Sequence, residues 1–134
     1  ECVVVTVDDD AMYNPEDLIA LANTAHTTGK IATGFAKWDV VLHIWIPFGN
    51  NAIAYPKSVI TEAFVNQIRE VAQQGGSECR VHDDMVLAVA AARHGLGNPL
   101  VQDVRRKLLE DSFSDDALMY AFPNKDEACA QRLA

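Results

Sequence analysis

The stretch Val3-Val4-Val5-Thr6-Val7-Asp8-Asp9-Asp10 decides how this chain is read. Cys2 to Val7 has the short, continuous, β-branched character of a buried strand. It stops on three adjacent carboxylates, which repel one another and need a positive charge to gather them. Asn14-Pro15-Glu16-Asp17 follows as a helix start, with a capping Asn, Pro at the first helical position and acids in the first turn. In α/β sheets, ligands sit beyond the carboxyl ends of strands. Residues i and i+2 leaving a strand project to one side, so Asp8 and Asp10 are expected to aim together while Asp9 points elsewhere. The alternative is a polar strand exit with an Asx turn. An EF-hand is excluded, because Met12 occupies the third ligand position and the required Gly is absent.

Working outward, strand and helix patterns alternate, which predicts an α/β layered fold. The first helix is expected to run to Gly29. Lys30 to Ala36 and Val40 to Ile46 read as strands, and Pro47 to Asn51 as a turn. Ala52 to Tyr55 is a short apolar stretch ended by Pro56. Ser58 is the expected cap of a helix through about Gln73, closed by Gly75-Gly76. Cys79 to His82 reads as a brief extended piece. Asp83 to His94 is the clearest helix, Ala-rich and stopped by Gly95. Asp103 to Leu109, Asp115 to Phe122 and Lys125 to Leu133 read as weaker helical pieces.

The 134 residues, 49% hydrophobic and 22% charged, suffice for one domain with a core. No apolar run approaches the roughly 20 residues of a membrane span. The net charge of −8 argues against nucleic acid as a partner and makes a divalent cation the natural neutraliser of any phosphate ligand. Cys2, Cys79 and Cys129 have no zinc spacing and allow at most one disulfide.

Val81-His82-Asp83-Asp84 places a second carboxylate pair at a helix start, where capping and the helix dipole explain acids without any function. Taken together, the Val-Asp-Asp-Asp strand end, Gly49-Asn50-Asn51-Ala52-Ile53-Ala54-Tyr55-Pro56, Cys79-Arg80-Val81-His82-Asp83-Asp84 and the helix ending His94-Gly95-Leu96 resemble GT-A-type nucleotide-sugar glycosyltransferases of the family-two-like group. The resemblance runs over about residues 2 to 96 and rests on the order and spacing of short motifs. It implies a partial GT-A fold, a mixed sheet flanked by helices. The chain would be a single domain or fragment forming the acceptor-side half of the catalytic domain. The nucleotide-binding half is expected upstream of Glu1.

The resemblance further implies Mn²⁺ or Mg²⁺ as cofactor, with Asp8 and Asp10 at the metal and Asp8, Asp9, Asp10 and Gly49 lining the donor site. Asp84 is then the general base, with Asp83 beside it. The partners implied are a nucleoside-diphosphate sugar donor and a carbohydrate or other hydroxyl acceptor. The helix start is expected to hold Asp84 ionised. His82 has no assigned role.

Other residues have plainer expectations. His43 is expected to be buried and bonded to a neighbour, and His26 and His94 to serve as caps. Trp38 and Trp45 are expected in the core, with stacking on a sugar ring as the alternative. Tyr13 either lines the donor site or anchors its loop. Arg105-Arg106-Lys107 reads as a solvated helix face, with a diphosphate contact the alternative. A second resemblance, to response-regulator receiver domains, uses the acidic end of the first strand and Asp39 to Pro47. It lacks the phosphoacceptor Asp, since His43 stands near that position. A non-catalytic glycosyltransferase-like domain is the third reading.

Overall fold

The structure, a computed structural model, describes residues 2–109 and 125–134. A four-stranded mixed sheet organises it. The strands are β1 (Val3–Thr6), β6 (Ile53–Pro56), β3 (Ala32–Thr33) and β7 (Leu100–Val101), in the order β1-β6-β3-β7. β6 runs antiparallel to both neighbours, and β3 pairs parallel with β7. Two ribbons flank the sheet: β2 (Ala11–Tyr13) with β8 (Arg106–Leu108), and the hairpin β4 (Ala36–Asp39) with β5 (Ile44–Pro47).

β6 is central and buried along its whole length, as a strand covered on both faces must be. Its alternation sorts the core. Ala52 and Ala54 face α1 (Pro15–Thr28), where Leu21, Ala25, Ala32 and Val104 complete one apolar cluster. Ile53 and Tyr55 face the other layer, built from α2 (Glu62–Gly75), α3 (Asp83–Arg93) and α4 (Lys125–Leu133). Small side chains on the α1 side let that helix lie close to the sheet.

Several local expectations hold. Asn14 caps α1 by accepting from the Asp17 amide, and Gly29 ends it in the left-handed region. α3 and α4 occupy the predicted segments, and Cys79 and Cys129 form the single disulfide while Cys2 is free.

Others are corrected. The first strand is not buried on both faces. It is an edge strand, alternating half-buried and exposed, because only its α1 side is covered. Val40 to His43 is a turn rather than a strand: Asp39 Oδ1 accepts the Val41 and Leu42 amides at 3.0 and 2.9 Å and reverses the chain into the β4–β5 hairpin. β3 is confined to Ala32–Thr33, and the chain enters β4 at Ala36. The second helix is capped by Thr61, which accepts the Phe64 amide, not by Ser58; residues 57–59 form a short 3-10 turn. Cys79 closes another 3-10 turn rather than an extended piece. Asp103 to Leu109 is not helical. It carries the residues after β7 and then β8, whose pairing with β2 overrides the local helical pattern. Asp115 to Phe122 lies outside the described residues. No described helix is long and apolar enough to cross a membrane.

Candidate active site

The antiparallel pairing of β1 with β6 sets Thr6 opposite Ile53. Asp8 leaves the sheet two residues after Thr6, and Asn51 enters it two residues before Ile53. The acidic strand end and the Gly49–Asn51 turn therefore share one end of the sheet. Tyr13 ties them. Its hydroxyl accepts the Asp8 amide at 3.1 Å and donates to the Asn50 carbonyl at 2.8 Å. Tyr13 is thus an anchor of the loop, as one of its two expected roles requires.

The turn then reaches the start of α3. The Gly49 amide donates to Asp84 Oδ2 at 2.9 Å. A methyl group on Gly49 would stand 2.9 Å from Asp84 Oδ1, so the bare glycine permits this approach. Gly34 plays a similar part beneath the turn. Its amide is shared by the Asn51 and Ala52 carbonyls, and a Cβ there would collide with the Asn51 carbonyl. The buried Thr33 hydroxyl bonds the Ala52 carbonyl at 2.8 Å. These contacts hold Ala52 at φ 66°, a left-handed conformation that a non-glycine residue rarely adopts.

The two carboxylate clusters feel each other. Burial raises the Asp8 pKa, and the charges of Asp10, Asp9 and Asp83 raise it further; Arg106 opposes them. Burial also raises the Asp84 pKa, aided by Asp83 and Asp8. The Gly49 amide and His82 pull the other way. Burial thus sets the Asp84 pKa above the ordinary carboxylate value, against the lowering expected of a helix start. Asp9 is exposed, while Asp8 and Asp10 are half-buried. Neither Asp83 nor Asp84 is the cap of α3. His82 takes that position, buried, without a side-chain capping bond.

Two further polar atoms belong to this region. Tyr55, 7% exposed, lies within electrostatic reach of Asp84 and Asp83, and burial together with these charges raises its pKa. Its hydroxyl and the buried Asn51 Oδ1 have no hydrogen-bond partner among the described residues. Buried polar atoms are normally satisfied, so these two are exceptions beside the acidic site.

Arg106 was not singled out from Arg105 and Lys107 by sequence. It lies on β8 opposite Tyr13, and its charge acts on Asp8 and Tyr13. Its neighbour Arg105 forms a two-pronged ion pair with Asp17 at the start of α1, which sets the register of this segment. The basic run is therefore not a helix face: Arg105 precedes β8, and Arg106 and Lys107 lie on it.

The hairpin corrects two more expectations. Trp38 and Trp45 are 42% and 43% exposed and pack edge to face across the strands. His43 is exposed in the turn at φ 54° and stands edge-on to Trp38.

Among the described residues, no three His, Cys, Asp or Glu side chains form a ready-made metal cage. Comparison with known protein families, curated proteins and solved structures found no match for this chain.

Proposed function

We propose that this chain is the acceptor-side part of a metal-dependent glycosyltransferase of GT-A type. In this reading it moves a sugar from a nucleoside diphosphate to an acceptor hydroxyl with inversion. The observation that carries this is the convergence of Asp8 and the Asp83-Asp84 pair, distant in sequence, on one electrostatic neighbourhood through the Gly49 turn.

Asp8 and Asp10 suit Mn²⁺ or Mg²⁺. Hard cations that bind along with a diphosphate need only one or two carboxylates from the protein, so the lack of a complete protein cage fits this use. Burial first, and then the crowded charges of Asp10, Asp9 and Asp83, raise the Asp8 pKa, and a cation would relieve the crowding. When bound, the cation neutralises charge on the departing diphosphate.

The protein's own work is proton removal and positioning. Asp84, its pKa lifted by burial, accepts the proton of the acceptor hydroxyl, worth about 10²–10⁴-fold. The acceptor oxygen then bonds to the anomeric carbon as the bond from that carbon to the phosphate oxygen breaks, and the nucleoside diphosphate leaves. Gly49 orients the base through its amide. Arg106 supplies a cation on the Asp8 side.

The outer edge of β1 has no partner strand among the described residues, which leaves room for the strands of an upstream nucleotide-binding half. The receiver reading is disfavoured, since receivers use a parallel doubly wound sheet whereas β1 and β6 run antiparallel.

The test is binding of a panel of nucleoside-diphosphate sugars to the longest natural form of the chain, with and without Mn²⁺. Mn²⁺-dependent binding that Asp10→Asn removes supports the proposal. Binding indifferent to both, or none at all, refutes it.

A further inference from the structure

Beside the acidic site, a groove of about 370 Å³ opens between the β4–β5 hairpin and the starts of α3 and α4. Trp38, Val41, Phe48, Met85, His82 and Glu127 define its character. Two of these adjoin the site directly in the chain. Phe48 precedes Gly49, whose amide binds Asp84, and His82 precedes Asp83 and acts on the charge of Asp84. Through Phe48 and His82 the groove borders the two chain segments that hold the base.

Its chemistry is mixed. An exposed indole and several apolar side chains make one surface; beside Asp39, which accepts the Val41 and Leu42 amides, and the buried His82, Lys37 and Glu127 supply charged groups around it. An alkyl chain would leave those polar groups unused. A pyranose ring uses both, since its C–H face packs on an aromatic ring while its hydroxyls bond the charged rim. The volume lies in the range of small-molecule sites.

We propose that this groove binds a pyranose unit of the acceptor, seated against Trp38 with a hydroxyl directed toward Asp84. Calling the sugar the acceptor rests on the glycosyl-transfer reading; the groove's affinity for a pyranose does not.

Saturation-transfer NMR on the full chain tests it, with methyl β-glucopyranoside, methyl β-galactopyranoside, methyl α-mannopyranoside and 1-hexanol as probes. At least one pyranoside is expected to receive saturation on its ring C–H protons. Trp38→Leu, which keeps apolar bulk and loses the aromatic face, is expected to weaken binding about fivefold. Glu127→Gln is a second, surface variant expected to weaken the same pyranoside. Asp10→Asn should leave the sugar signal intact while removing Mn²⁺-dependent donor binding.

Three results overturn the groove assignment: no signal from any pyranoside, pyranoside binding unaffected by both groove variants, or hexanol alone binding with Trp38 dependence. Pyranoside binding with no donor binding at any Mn²⁺ concentration upholds the groove as a carbohydrate site and instead removes the transferase reading.

Discussion

The Gly49 amide and the Asp84 carboxylate meet at 2.9 Å, 35 residues apart in sequence, with no room between them for a methyl group. Gly49→Ala must therefore displace the carboxylate or the turn. We expect the variant to fold, because the clash falls on a side chain at the cleft, and to lose roughly 10²-fold in transfer rate through misplacement of the base. Transfer assays alongside circular dichroism check this; unchanged turnover in a folded variant refutes the orienting role.

Asp84→Asn should abolish transfer while leaving Mn²⁺-dependent donor binding in place, since only the proton acceptor is removed. In the wild type, Asp84 is active when ionised, so activity should fall as pH drops through its raised pKa, above the ordinary carboxylate value of 3.8. Asp83 is one of the charges that raises it. Asp83→Asn should thus shift the acidic limb of the rate profile downward, and an upward shift would contradict the electrostatics.

The same shifts bear on stability. Asp8 and Asp84 have raised pKa values in the folded state, so the folded chain binds more protons than the unfolded chain between 3.8 and those raised values. Stability then declines as pH rises through that window and stays reduced at neutral pH. Asp84→Asn, which keeps an acceptor for the Gly49 amide, should raise the melting temperature at pH 7 by about 3 °C. That gain should shrink at low pH, where the wild-type carboxylate is itself neutral. Scanning calorimetry at the two pH values distinguishes this from a gain that does not depend on charge.

The Cys79–Cys129 disulfide spans a sequence separation of 50 and joins the turn before α3 to α4. By the chain-entropy argument its loss costs about 4 kcal/mol. Cys129→Ser should show this in urea titration, and reductant should reproduce it in the wild type. Gly75 is part of the same arrangement, because a Cβ there would stand 2.6 Å from Cys79 Sγ. Gly75→Ala should be destabilising with the disulfide intact.

Local chemistry made several elements readable from the chain itself. Asn14-Pro15 starts α1 and Gly29 ends it because capping and left-handed geometry depend on one or two residues. The Ala-rich α3 is likewise a local matter. The acidic residues were visible as clusters, since like charges gathered at element ends stand out without any knowledge of neighbours.

Tertiary packing decided the rest. β1 became an edge strand, half exposed, because burial depends on which strands flank it. Arg106 to Leu108 became a strand because β2 was there to pair with it. The Trp pair stayed outside because strand alternation in the β4–β5 hairpin turns Ile44 and Ile46 to the core and leaves Trp38 and Trp45 on the other face. Above all, antiparallel pairing of Thr6 with Ile53 brought the Gly49 turn, and with it Asp84, to the end of β1. A sequence displays which groups carry charge, but the low-dielectric surroundings that raise the pKa of Asp8 and Asp84 exist only after remote segments close over them.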